Sequence, residues 1–129
     1  MDARSQVILF LDDNPARHAF MDQQYPDDTV IHVYDIDTFR SALKDHDKFD
    51  LISLDHDLND FTEEFGFCSL LWNGEKATGL DACGYMMGFK EKLPEEIIVH
   101  SSCPDGASGM VSFLVSKGIK AFWKMFPVA

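Results

Sequence analysis

Basic side chains are scarce in this chain of 129 residues, which has 11 Lys and Arg against 22 Asp and Glu. The formal net charge of -11 argues against a protein that binds the backbone of DNA or RNA, because such proteins need a basic patch. It equally argues against docking on an anionic membrane surface. We therefore expect neither a nucleic-acid duplex nor a membrane as partner.

Long apolar runs are also absent. No stretch approaches the roughly 18 consecutive apolar residues of a membrane span, and the polar first six residues are unlike a signal peptide. The three cysteines, Cys68, Cys83 and Cys103, are an odd number without the spacing of a metal site. These absences predict a cytoplasmic protein with reduced thiols.

Apolar residues make up 46% of the chain, which suffices for the core of one domain spanning residues 1–129. Many of them fall in five short runs that are nearly continuous rather than alternating, as is typical of strands in a parallel sheet covered on both faces. The runs are Val7–Leu11, Val30–Tyr34, Phe49–Leu54, Ile97–Val99 and Ile119–Trp123.

Helix signals alternate with these runs. Asn14 followed by Pro15 predicts a helix start, because Asn is a good cap and Pro suits the first helical position. A second helix is predicted to begin at a cap at Asp37, and a third to span residues 80–92. A fourth is predicted to run from Gly106 or Ser108 to Gly118. The alternation predicts a flavodoxin-like α/β sandwich of three layers, whose five parallel strands have the order 2-1-3-4-5.

Two features depart from a regular fold of this kind. Twenty-three residues separate Asp55 from Gly79, and the aromatic-rich insert at residues 59–77 is expected to be either a lid or a packing arm. A fifth helix after the last strand is expected to be missing, since few residues follow Trp123 in the sequence. The insert or a second subunit is expected to cover the flank that this leaves, so a homodimer through either surface is one alternative.

Polar residues follow the predicted strands at their carboxyl ends, where ligands bind in such sheets. They are Asp12, Asp13, Asp55, His56, Asp57, His100, Ser101 and Lys124. Because strands 1 and 3 are neighbours in the predicted order, the carboxylates of Asp12, Asp13 and Asp55 repel one another unless a cation neutralises them. Their hard oxygens predict a Mg²⁺ or Mn²⁺ site, with Asp57 as a further ligand or as a support for a histidine.

Four short motifs carry a resemblance to a known family. They are Leu11-Asp12-Asp13 with Arg17, Asp55-His56-Asp57-Leu58, Thr78-Gly79-Leu80-Asp81, and His100-Ser101 with Gly106. Together with Lys124 they resemble the receiver domain of response regulators, and more closely its divergent relative, the cyclic-phosphate processing receiver-like domain. The resemblance implies a hydrolase or binder of cyclic or nucleotide phosphates. Cys103 departs from the pattern, since many relatives have Asn there.

The residue types suit a metal-dependent phosphoesterase that acts on a small phosphate ligand. The predicted catalytic residues are His56, His100, Asp55 and Ser101, with the histidines as general acid or base. Arg17 and Lys124 are expected to bind phosphate. Asp81 and Gly79 are expected to have structural or capping roles at the third helix. His18, His32 and His46 lie away from the predicted strand ends, and we expect them to be structural.

Other interpretations remain open. The chain is alternatively a receiver that accepts a phosphoryl group on Asp55, or a non-catalytic pseudo-receiver that serves as an interaction module. Single residues also have simpler explanations. Asp12 and Asp13 can serve as helix caps alone, His100 as a core histidine, and Arg17 as a surface ion-pair partner.

Overall fold

A computed structural model describes residues 5–55, 79–100 and 104–124. The insert at residues 59–77 lies outside these ranges, so the lid, packing-arm and homodimer hypotheses stay predictions. In the described part of the chain, no helix combines the length and the hydrophobicity needed to cross a membrane.

Five parallel strands and the helices between them alternate along the described chain. The strands are β1 (Val7–Leu11), β2 (Thr29–Val33), β3 (Leu51–Leu54), β4 (Glu96–Val99) and β5 (Lys120–Trp123). The helices are α1 (Pro15–Gln24), α2 (Ile36–Asp45), α3 (Gly79–Met86), a 3₁₀ helix (Met87–Lys92) and α4 (Pro104–Ser116). The strand order is β2-β1-β3-β4-β5 with every pairing parallel, which confirms the predicted 2-1-3-4-5 sheet.

Strand β1 is covered on both faces. Successive side chains of a strand point to opposite faces, so they join two different clusters. Leu9 and Leu11 of β1 belong to the larger apolar cluster, which also contains side chains of α2, α3 and α4. Ile8 and Phe10 of the same strand join Met21 of α1 in a smaller cluster on the other face. Helix α1 therefore packs on the face opposite to α2, α3 and α4, which gives the three predicted layers.

The start of α2 differs from the prediction. The helix begins at Ile36, and its cap is Asp35 rather than Asp37. The Asp35 carboxylate accepts the backbone N–H of Thr38 at 2.8 Å, and the Thr38 hydroxyl in turn accepts the backbone N–H of Asp35 at 3.4 Å. This reciprocal capping box uses two donors that a cap at Asp37 would leave unpaired. Asp37 instead lies in the first turn.

The predicted helix over residues 80–92 is two helices. Helix α3 ends at Met86, and the following 3₁₀ helix contains Phe89 with non-helical angles (φ -133°, ψ 36°). Gly84 and Gly88 weaken a continuous α-helix here, because glycine has a low helix propensity. The fourth helix also differs from the prediction, since it starts at Pro104, where a missing N–H costs nothing.

The predicted end of the last helix is confirmed. Gly118 has a positive φ of 81°, a conformation that favours glycine because it has no Cβ. Its N–H bonds to the Val115 carbonyl and the N–H of Ile119 to the Leu114 carbonyl, both at 3.0 Å. These two bonds form a Schellman motif and send the chain directly into β5.

Candidate functional site

The parallel hydrogen bonding continues one residue past four of the strands and sets out a row of side chains. Asp12, Asp55, His100 and Lys124 each donate the backbone N–H to the last residue of a neighbouring strand, with N···O distances of 2.8–3.2 Å. These four residues therefore lie side by side at the carboxyl edge of the sheet, as their positions after the apolar runs predict.

Asp12 is the centre of this row and is fully buried. Its Oδ1 accepts the backbone N–H of Asn14 at 2.8 Å, while its Oδ2 accepts His100 Nε2–H at 2.8 Å and Arg17 Nη1 at 3.2 Å. Asn14 is itself the cap of α1, because its side chain accepts the Ala16 N–H at 2.9 Å. Capping alone does not explain Asp12, whose carboxylate connects β1 to His100 beyond β4 and to Arg17 on α1.

His100 is 2% exposed and uses both ring nitrogens. Because the Asp12 carboxylate can only accept, Nε2 carries the hydrogen, and Nδ1 accepts the hydroxyl hydrogen of Ser53 at 2.6 Å. The ring also stacks on Phe10 with centroids 4.8 Å apart. Ser53 escaped the sequence-based prediction, although it was recognisable as the single polar residue within the apolar run of β3.

Burial lowers the pKa of His100, although the hydrogen bond and the charge of Asp12 oppose this shift. Burial alone would raise the pKa of Asp12, but the hydrogen bond and charge of His100, the Asn14 N–H and the charge of Arg17 together lower it. A neutral imidazole therefore donates to an ionised carboxylate near neutral pH.

Arg17 lies against two buried acids rather than on the surface. Its Nη1 is 3.2 Å from Asp12 Oδ2 and 4.0 Å from Asp55 Oδ2, and its side chain is 13% exposed. The cap at Asn14 directs α1 so that Arg17, one turn further, returns over the strand ends.

The donor set fits a hard divalent cation. One ligand atom each from Asp12, Asp55 and His100 lies within 4.8 Å of the others. Two buried carboxylates offer the hard oxygen ligands that suit Mg²⁺ or Mn²⁺. His100 Nε2 already donates to Asp12, so in this arrangement the imidazole supports a ligand instead of providing one.

The remaining predicted site residues fall into four groups. Asp13 is half-buried beside Asp12 but does not belong to the ligand group found among the described residues. Lys124 is exposed at the end of β5 and forms no ion pair with a residue in the described ranges. Gly79 begins α3, with Asp81 in its first turn. His56, Asp57 and Ser101 lie outside the described residues.

Two of the three histidines expected to be structural lie nearer to the site than their sequence positions indicate. His18 is buried, and its Nε2 is 2.7 Å from the backbone oxygen of Asp12. His32 on β2 is its neighbour, with 2.6 Å between the two Nδ1 atoms. His46 lies elsewhere, at the C-cap of α2 beside Phe49.

Comparison with known families gives one match that covers most of the chain. The family model described as the cyclic-phosphate processing receiver domain matches residues 7–116. A search of curated proteins returned no match.

Solved structures with the same fold are receivers at low sequence identity. A response regulator from Burkholderia pseudomallei, solved with a phosphorylated aspartic acid, calcium ion and citrate, has a TM-score of 0.66 and 15% identity; the match covers 97% of this chain and 62% of that one. A receiver domain from Methylobacillus flagellatus has a TM-score of 0.67 and 12% identity. That match covers 98% of this chain and 90% of the other. A Thermotoga maritima response regulator in complex with Mg²⁺-BeF has a TM-score of 0.61 and 16% identity. That match covers 95% of this chain and 88% of the other.

Proposed function

The chain belongs to the family of cyclic-phosphate processing receiver domains, and from this premise we propose that it binds and hydrolyses a small cyclic or nucleotide phosphate with a divalent metal ion. The observation that carries the proposal is the buried group of Asp12, Asp55 and His100, with Arg17 against both acids. This group combines a cation site with a cationic side chain that can bind phosphate.

Asp12 and Asp55 are the residues that would hold Mg²⁺ or Mn²⁺, with Asp13 and Asp57 next to them in the chain as further candidates. A bound ion would supply a Lewis acid for the phosphoryl group and a water of lowered pKa. Neutralisation matters as much, because a chain of net charge -11 repels a phosphate until a cation offsets the acids.

Arg17 is the proposed phosphate-binding residue. Its guanidinium carries five donors in a planar fork, which matches two oxygens of a phosphate. If Asp12 and Asp55 held a metal ion, the ion would supply the counter-charge that Arg17 Nη1 otherwise provides. The fork would then be available to the ligand, with Lys124 at the end of β5 as a second cation at the same edge.

His100 is proposed as a positioning residue and not as the general acid. Both of its ring nitrogens are engaged, and its burial keeps it from direct proton exchange with a ligand. Its Nε2–H holds the Asp12 carboxylate in place and in its ionised form. The protonation of the leaving alkoxide then falls to His56, and the contact with a phosphoryl oxygen to Ser101, as the sequence suggests.

A phospho-accepting receiver is the second candidate, favoured by the place of Asp55 at the end of β3 beside Asp12. The matched regulator from Burkholderia pseudomallei contains a phosphorylated aspartic acid, and the family itself is a receiver family. One observation weighs against transfer to Asp55. Its side chain is only 6% exposed and lies 4.0 Å from Arg17 Nη1.

The test is hydrolysis of 2′,3′- and 3′,5′-cyclic nucleotides with Mg²⁺ or Mn²⁺, comparing the wild type with Asp55→Asn. We expect turnover by the wild type and a loss of at least about a hundredfold in the variant, as is usual when a residue central to the chemistry is removed. Asp37→Asn, an exposed acid on α2, is the matched control and should keep full activity.

A parallel incubation with a small phosphodonor and Mg²⁺ separates the two candidates. An acid-labile phosphoryl adduct on Asp55 without nucleotide turnover would replace the phosphoesterase by the receiver. If the protein shows no turnover and forms no adduct across the whole panel, both candidates are overturned. A non-catalytic interaction module then remains.

A further inference from the structure

A second cluster of potential ligands lies on the α1 face at the edge strand β2. His18 of α1 and His32 of β2 face each other with 2.6 Å between their Nδ1 atoms. Tyr34 stacks on the His18 ring with centroids 3.9 Å apart, and Phe10 contacts the same ring edge-on. The His18 imidazole is therefore held between two aromatic rings.

The partners of the outer nitrogens determine the tautomers. His18 Nε2 lies 2.7 Å from the carbonyl oxygen of Asp12, and His32 Nε2 lies 2.8 Å from Asp22 Oδ1. A carbonyl and a carboxylate only accept hydrogen bonds, so both Nε2 atoms carry hydrogen. In the neutral rings each Nδ1 then has a lone pair, and the two lone pairs converge on one point.

Two lone pairs at this distance repel unless a cation lies between them. A proton shared by the two Nδ1 atoms is one such cation, and a metal ion is another.

We propose that the Nδ1 atoms of His18 and His32 bind a borderline transition-metal ion such as Zn²⁺ or Cu²⁺ in place of the shared proton. A histidine that ligates a metal almost always donates its other N–H to a carboxylate or backbone carbonyl, which fixes the ring. Both rings here have such a partner, Asp22 for one and the Asp12 carbonyl for the other.

The metal needs slightly more room than the proton. With Zn–N distances of about 2.0–2.1 Å, tetrahedral coordination places two nitrogens about 3.3 Å apart. The two Nδ1 atoms are 2.6 Å apart and would have to separate to this distance. His32 can move outward because it lies on an edge strand and its side chain is 25% exposed. Water reaching the pair from the His32 side would complete the coordination, and the displaced proton passes to solvent.

This site is distinct in chemistry from the acidic group at the strand ends, so the inference does not depend on the proposed function. Imidazole nitrogens prefer Cu²⁺ and Zn²⁺, while the paired carboxylates prefer Mg²⁺. Excess Mg²⁺ should therefore occupy the carboxylates and leave the histidine pair to the softer ion.

The experiment titrates Cu²⁺ into the full chain in excess Mg²⁺, with calorimetry for affinity and electron paramagnetic resonance for the ligands. We expect one tight Cu²⁺ with two imidazole nitrogens. His32→Gln should weaken binding at least tenfold and Asp22→Asn about tenfold, as is typical for outer-shell partners. His46→Gln is the matched control and should bind as the wild type does.

Asp55→Asn distinguishes this site from the acidic group. Binding that survives Asp55→Asn but is lost in His32→Gln supports the proposal. Binding lost in Asp55→Asn places the ion at the strand ends and overturns it, as does the absence of tight binding, which would leave a shared proton as the occupant. Circular dichroism of the His32→Gln and His32→Asn variants verifies that a loss is not unfolding.

Discussion

His18 and His100 lie on two sides of the Phe10 ring, with centroids 4.9 and 4.8 Å from it, and both are buried. Both direct Nε2–H at Asp12, His18 at its backbone oxygen and His100 at its carboxylate. They differ in the group that faces Nδ1, which is the Ser53 hydroxyl for His100 and a second imidazole for His18.

That difference decides whether a neutral ring is satisfied. A hydroxyl rotates to donate or accept, so Ser53 completes the hydrogen bonds of neutral His100 without any added charge. His32 can donate to His18 while it also donates to Asp22 only when the pair holds an extra proton, and a metal ion would instead accept both lone pairs. Two histidines on the same aromatic ring therefore have different roles. His100 is a closed structural support, and His18 forms an open ligand pair with His32.

The largest effect is expected at Asp12, because its buried carboxylate accepts hydrogen bonds from two side chains. Asp12→Ala removes the acceptor of His100 Nε2 and of Arg17 in a buried environment. Removing one partner of a buried ion pair typically costs about 3–5 kcal/mol, and we expect a loss of this order in the free energy of unfolding in urea. Exposed Asp37→Ala should change it by about 0.5 kcal/mol or less. Equal stability of Asp12→Ala and wild type would contradict the central role of Asp12.

A smaller effect is expected on the closed side. Ser53→Ala leaves the buried Nδ1 of His100 without a donor, which costs about 1–3 kcal/mol. Ser53→Thr keeps the hydroxyl and should retain most of the stability, measured by the same denaturation. A Ser53→Ala variant as stable as the wild type would mean that Nδ1 finds another donor, and the contrast with His18 would disappear.

Acidification acts on the closed side through His100. Burial lowers the pKa of His100 below the ordinary value of 6.5, so below that pH this residue binds more protons in the unfolded chain than in the folded one. The free energy of unfolding should therefore fall as the pH drops from 7.5 to 5.5. The contribution of Asp12, whose pKa is lowered, is lost only below 3.8. In metal-free buffer, His100→Gln should make the decline between pH 7.5 and 5.5 shallower, and an unchanged slope would count against a neutral buried His100.

The sheet and its acids follow from sequence because each depends on a local pattern. Continuous apolar runs between helix signals give the strand order, and the carboxyl ends of parallel strands bring Asp12 and Asp55 together. The neighbours of His18 do not follow from any local pattern. Its contacts with His32 and the Asp12 carbonyl depend on how α1 is rotated against the sheet, which only the packed structure defines. Ser53 was missed because its partner His100 is 47 residues away.

The smallest change in stability is expected for His32→Gln, and it sharpens the comparison most directly. A glutamine amide can donate N–H to the His18 Nδ1 lone pair while it remains neutral, as the Ser53 hydroxyl does for His100. The variant should therefore differ from wild type by less than about 1 kcal/mol in urea denaturation at pH 7.5, since one partial donor replaces another. It should nevertheless lose Cu²⁺ binding, because an amide nitrogen is a poor ligand. A loss of stability as large as that of Ser53→Ala would show that the histidine pair is a closed support like His100 and not an open ligand pair.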